Sequence, residues 1–162
     1  MPPELIVVSA TPVALELLKL GRTLGFHTSL VESRPERVTP ALRNEADTVV
    51  ASTTELTIDS RTVAVHTDHD APGVADSIAV LLRSPAGFIG AMGSRRHVAP
   101  YLATVREKGF TDDDLARIRS PLGLDIGSKT PAEIALSIAA GIVAAHAGRD
   151  GGWLDRDPAH AG

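Results

Sequence analysis

The chain has 162 residues, enough to bury one full core, and its 43% apolar and 22% charged residues are the composition of an ordinary globular domain. The formal net charge is −4 and no basic run exceeds Arg95-Arg96, so a charged face for nucleic acid is not expected. The absence of cysteine excludes disulfides, thiolate metal sites and cysteine nucleophiles, and no apolar run approaches the ~20 residues of a membrane span, so a cytoplasmic protein is expected.

Leu5 to Val8 is a short continuous apolar run, as expected of a strand buried on both faces. Thr11-Pro12 reads as a helix start, with threonine capping and proline at the first helical position. Val13, Leu17, Leu20 and Leu24 follow at helical spacing, and Gly25 stops the helix. Thr28 to Val31 reads as a second strand with Glu32 at its end, Ala46 to Ala51 as a third, and Val63 to Val65 as a fourth. Helical pattern returns over Gly73 to Leu82, Phe88-Ile89 forms a fifth strand, and Ser94 opens a helix running to Lys108. Thr111 to Asp114 caps a short helix, and Ser120 to Ser128 is a loop rich in glycine and proline. Thr130-Pro131-Ala132-Glu133 is a capping box for a last helix reaching Ala147. The domain is therefore expected to span residues 1–147, followed by a loose tail over 148–162.

Strands alternating with helices predict a doubly wound, Rossmann-like parallel sheet in three α/β/α layers. In that architecture ligands bind beyond the carboxyl ends of the strands, near the point where strand order reverses. Ser9 to Thr11, Glu32 to Arg34, His66 to Asp70 and Gly90 to Arg96 all fall at such ends.

The first turn reads Ser9-Ala10-Thr11-Pro12-Val13-Ala14 where a dinucleotide fingerprint carries glycines. Ser9 and Thr11 would crowd a pyrophosphate and Pro12 removes a backbone donor, so tight NAD(P) binding is not expected there. Glu32 stands where an acid would hold a ribose hydroxyl. His66, Asp68, His69 and Asp70 are candidate ligands for a divalent metal, or the residues of a plain solvated turn. Gly90, Gly93, Ser94, Arg95 and Arg96 form a strand, a glycine turn and a helix start with two guanidiniums. That is either an anion cradle or a capped helix with exposed arginines.

Phe88-Ile89-Gly90-Ala91-Met92-Gly93-Ser94-Arg95-Arg96 is followed by Ser120-Pro121-Leu122-Gly123-Leu124-Asp125-Ile126-Gly127. Next comes Thr130-Pro131-Ala132-Glu133-Ile134-Ala135-Leu136-Ser137-Ile138-Ala139-Ala140. The order and spacing resemble the carboxyl-terminal Rossmann domain of the XdhC/CoxI family, the accessory proteins of xanthine dehydrogenase and carbon monoxide dehydrogenase. The resemblance covers Leu5 to about Ala147 and is strongest after Phe88. It implies a chaperone-like role in maturing molybdenum hydroxylases, through binding, sulfuration or insertion of the molybdenum cofactor (molybdopterin). It adds Asp125 and Gly127 to the cofactor-binding candidates. The family's first turn, Gly-Ala-Gly-His-Val-Ala, is replaced here, which puts a ligand at Ser9 and Thr11 in question. Full-length members carry a further amino-terminal domain, so a stand-alone Rossmann half working with a separate subunit is expected. No catalytic residue is assigned.

The alternatives are an NAD(P)-dependent oxidoreductase and a structural or regulatory subunit that binds nothing. The last helix presents Ile134, Leu136, Ile138, Ile142 and Val143 almost all round. It is expected to leave an apolar face for a homodimer, or for a molybdenum hydroxylase or one of its maturation proteins.

Overall fold

The computed structural model describes residues 1–155, with the side chains of Arg95, His97, Val98 and Ala99 outside the described set. Six parallel strands form one sheet: β1 (Glu4–Val8), β2 (His27–Val31), β3 (Thr48–Val50), β4 (Val63–His66), β5 (Phe88–Ala91) and β6 (Ile118–Arg119). Their order is β3-β2-β1-β4-β5-β6, the doubly wound arrangement that the alternation of elements predicts. Order reverses between β1 and β4, where Leu5 pairs with both Thr28 and Val63.

The helices are α1 (Pro12–Thr23), α2 (Pro40–Glu45), α3 (Val74–Arg83), α4 (Arg95–Glu107), α5 (Asp112–Leu115) and α6 (Pro131–His146). Three of them begin the same way, at Thr11-Pro12, Thr39-Pro40 and Thr130-Pro131. In each the threonine hydroxyl accepts a backbone N–H of the first turn and the proline supplies a preset φ.

Alternation along the strands divides the core between two faces. Leu5, Val7, Val63 and Val65 pack with Leu17 and Leu18 of α1 and with Ile138 and Ile142 of α6. Ile6, Val8 and Ala64 pack with Ile78 and Leu81 of α3 and with Tyr101 and Val105 of α4. Gly21 lets α1 lie close on the sheet, since a Cβ there would stand 2.5 Å from Leu5 Cδ2.

Several elements differ from the sequence expectation. The third strand covers Thr48–Val50 rather than 46–51, α2 occupies a stretch where the pattern predicts no helix, and β6 pairs Ile118–Arg119 with β5 where no strand is expected. After α6 the chain turns back, and a Cβ on Gly151 would meet Leu124 Cδ1 at 2.8 Å. The rest of the expected tail, residues 156–162, lies outside the described residues.

Candidate functional site

The turn after β1 keeps a conformation suited to glycine although it has none. Ser9 holds φ +82, is buried, and donates its N–H to the Val31 carbonyl at 2.8 Å. Thr11 Oγ1 accepts from Ala14 N–H at 3.0 Å and donates to Thr67 Oγ1 at 3.0 Å. Thr67 Oγ1 in turn lies 3.0 Å from the carbonyls of both Val8 and Ser9. Thr11 and Thr67 thus bridge the crevice between β1 and β4. Pro12 offers no N–H, and Ala10 donates its own to Glu32 Oε1 at 3.3 Å. The backbone donors that a helix N-terminus would turn toward a pyrophosphate are largely engaged within the chain.

Glu32 ends β2 and is buried. Arg34 meets it as a fork, Nη2 at 3.0 Å from Oε1 and Nε at 3.3 Å from Oε2, and Arg34 also lies 3.9 Å from Asp68 Oδ2. Beside Glu32 a cavity of about 360 Å³ opens between the ends of β1, β2 and β3 and the first turns of α3. Of the expected site residues, Ser9 and Glu32 line it.

The polar floor of this cavity could not be read from spacing. Thr53 Oγ1 and Ser77 Oγ are 2.8 Å apart, and Ser77 Oγ is 2.9 Å from His66 Nε2. His66 is fully enclosed, and burial pushes its imidazole down to about 4, with only the Gly90 backbone acting the other way. Its Nδ1 makes no hydrogen bond of ordinary geometry. At neutral pH the ring is uncharged and anchors Ser77, which anchors Thr53.

That placement removes His66 from the metal candidates, because its side chain faces α3 inside the fold. Asp68 leans toward Arg34 and His69 pairs with Asp70 at 3.3 Å. Among the described residues, no group of three His, Asp or Glu converges as a metal site.

The remaining candidates lie on the other half of the sheet. Gly90 is buried in β5, where a Cβ would meet Leu122 Cδ1 at 2.7 Å. Its lack of a Cβ makes room for Leu122 of the loop over β5. Gly93 has φ +127, Ser94 precedes α4 in extended conformation, and Arg96 is exposed. Arg95 opens α4, and its side chain lies outside the described residues. Asp125 and Gly127 are exposed on the loop before α6. The sequence-expected site therefore divides in two: Ser9, Thr11 and Glu32 beyond β1 and β2, and Gly93 to Arg96 beyond β5.

Comparison with known proteins places this geometry in context. A family described as the XdhC Rossmann domain matches residues 5–142. The uncharacterized protein YqeB of Escherichia coli (strain K12) is 29% identical over 167 aligned positions, covering 99% of this chain and 30% of that protein. A probable xanthine dehydrogenase subunit of Bacillus subtilis (strain 168) is 28% identical over 150 positions, covering 87% of this chain and 42% of that protein. Among solved structures, one described as a xanthine dehydrogenase from Bacillus halodurans superposes with a TM-score of 0.76 at 22% identity, over 99% of this chain and 46% of that one. The chain thus spans less than half the length of each of these relatives.

Proposed function

The chain belongs to the XdhC Rossmann-domain family, and from that membership we propose that it is an accessory component of molybdenum hydroxylase maturation, helping to hold, sulfurate or insert the molybdenum cofactor. The observation that carries this reading is the family match running through both polar segments beyond β5 and β6, Gly93 to Arg96 and Asp125 to Gly127. The names of the B. subtilis and B. halodurans relatives point to the same enzyme system.

The molybdenum cofactor is a pterin with a dithiolene and a phosphate. The donor set at the start of α4 suits the phosphate: a glycine at φ +127, a serine hydroxyl, and the exposed guanidinium of Arg96 at the head of a 13-residue helix. In this role Gly93 turns the backbone toward the ligand, while Ser94, Arg95 and Arg96 bind its anionic end. Asp125 and Gly127, exposed on the loop before α6, are proposed as further cofactor contacts. When bound, the cofactor brings the molybdenum chemistry that a hydroxylase uses. The engaged donors of the Ser9–Ala14 turn support this reading over a nicotinamide-dependent one.

The exposed side chains of α6 are proposed as the contact for a second copy, for a separate XdhC amino-terminal domain, or for the client enzyme.

A charge-assisted contact contributes roughly 1.5–3 kcal/mol, so Arg95→Ala and Arg96→Ala should each weaken a pterin phosphate by about tenfold or more. Titration calorimetry of the parent and both variants is the test. Equal affinities in all three would overturn the assignment of this segment.

A further inference from the structure

A second cavity, of about 130 Å³, lies on the α6 face of the sheet beside β5 and β6, apart from both the Glu32 cavity and the α4 segment. It does not depend on the accessory role. Its floor is apolar: Phe88 and Ile138 are buried there, with Leu122 and Leu124 of the loop after β6 beside them. One wall is α6, where Gly141, Ala144 and Ala145 are too small to fill the space. Two guanidiniums stand on the lining, Arg119 from β6 and Arg149 from the turn after α6, and Asp150 is its one acid.

The walls are fixed within the chain. Leu124 donates its N–H to the Ser137 carbonyl at 3.0 Å, and Leu122 is seated over Gly90. Gly148 turns at φ +65, and Arg149 donates its N–H to the Ala144 carbonyl at 2.8 Å. The same turn meets the negative end of the helix, since the N–H groups of Ala147 and Gly148 take the Val143 and Ala145 carbonyls. The guanidiniums themselves are uncommitted. Among the described residues, no hydrogen bond or ion pair engages the side chain of Arg119 or Arg149. Two arginines against one aspartate leave one net positive charge at the rim, over the apolar floor.

That combination selects among anions. A phosphate or sulfate carries oxygen on every side, and its inner oxygens would face Phe88 and Ile138, which offer no donor. The Leu124 and Arg149 amides are already spent. A carboxylate on a short hydrocarbon is matched at both ends: two coplanar oxygens suit a guanidinium fork, and the hydrocarbon suits the floor. The volume lies below the roughly 300 Å³ at which pockets for drug-sized ligands begin, which limits the body to a few carbons or one ring.

We infer that this cavity binds a short apolar monocarboxylate, its carboxylate held by Arg119 and Arg149 and its hydrocarbon resting on Phe88, Leu122 and Ile138.

Amide NMR titration of the full chain with butyrate, benzoate, butyramide and inorganic phosphate tests this. Butyrate and benzoate should shift the signals of Leu124, Gly141 and Arg149 and saturate at millimolar concentration. Butyramide has the shape of butyrate without its charge, and both it and phosphate should bind at least about tenfold more weakly. Arg119→Gln and Arg149→Gln should each weaken the carboxylates about tenfold, the loss of one charge-assisted contact. Both side chains are exposed, so neither change disturbs the core. Gly141→Ala tests the place. Its Cβ would come no closer than 3.7 Å to Leu124 N, so the fold holds while the wall moves inward, and benzoate should bind severalfold more weakly. No shift at tens of millimolar, phosphate or butyramide binding as tightly as butyrate, or affinities that both arginine variants leave unchanged would each overturn the inference. So would shifts gathered on another face of the molecule, or a Gly141→Ala variant that binds benzoate as the parent does.

Discussion

Ser9 shows how a turn can outlive the residue type that normally builds it. The sequence expectation was that Ser9 and Thr11 would crowd a pyrophosphate; in the structure φ at Ser9 is +82, as a glycine would take it, and its amide reaches Val31. A left-handed conformation costs a residue with a Cβ roughly 1–2 kcal/mol, while glycine adds unfolded-chain entropy worth about 0.4–1 kcal/mol. Ser9→Gly should therefore be neutral to about 1 kcal/mol stabilising, and Ser9→Val clearly destabilising, in urea titrations. A Ser9→Gly variant less stable than the parent by more than about 1 kcal/mol would remove the strain account. The Thr11–Thr67 contact was not legible at this scale, because its partners lie 56 positions apart and Thr67 looked like part of a polar loop. The same holds for Ser77. Nothing in a helical pattern marks one serine as the partner of a buried imidazole.

The long elements were the legible ones, since caps and periodicity agree. In α6 the Thr130–Glu133 box forms as read, and the backbone N–H groups of Lys129 and Thr130 hold the Glu133 carboxyl below its ordinary range. Short elements carry too little pattern. Thr39-Pro40 is a start signal, but six residues of α2 show no repeat, and a two-residue strand such as β6 has no period. In α6 apolar residues lie on all sides, and packing decides which are core. Ile138 and Ile142 are buried. Leu136 and Val143, seven residues apart, remain 51% and 50% exposed. Ile138→Ala should thus cost about 2–5 kcal/mol, whereas Leu136→Glu with Val143→Arg should change stability by only ~0.5 kcal/mol per site. If α6 mediates association, the charged pair abolishes it while thermal unfolding stays nearly unchanged. A parent chain that scatters light as a monomer at high micromolar concentration would remove the self-association.

For the molecule as a whole, the buried imidazole sets a pH response. His66 takes a proton near 6.5 when unfolded but only near 4 when folded. Above pH 6.5 it is neutral in both states and contributes no slope. As pH falls from 6.5 toward 4 the unfolded chain gains a proton that the folded chain refuses, and about 3 kcal/mol of stability is lost by pH 4. Asp47, held down first by the Thr28 backbone N–H, acts in a lower window: its contribution is present above 3.8 and fades as pH drops further. Urea midpoints at pH 7.5, 5.5 and 4.5 should decline in the parent and flatten in His66→Gln. A parent midpoint that is constant over this range would contradict the buried neutral ring. The sheet was legible where clear helices separate its strands, α1 between β1 and β2 and α3 between β4 and β5, whereas only the short α2 lies between β2 and β4 and β6 was not expected. Its two borders bear on assembly in another way. β3 has three residues and β6 two, so neither margin presents a row of free backbone groups long enough to template an added strand. Strand addition at either margin is disfavoured among the described residues, which leaves side-chain faces, such as the exposed side of α6, as the surfaces for association.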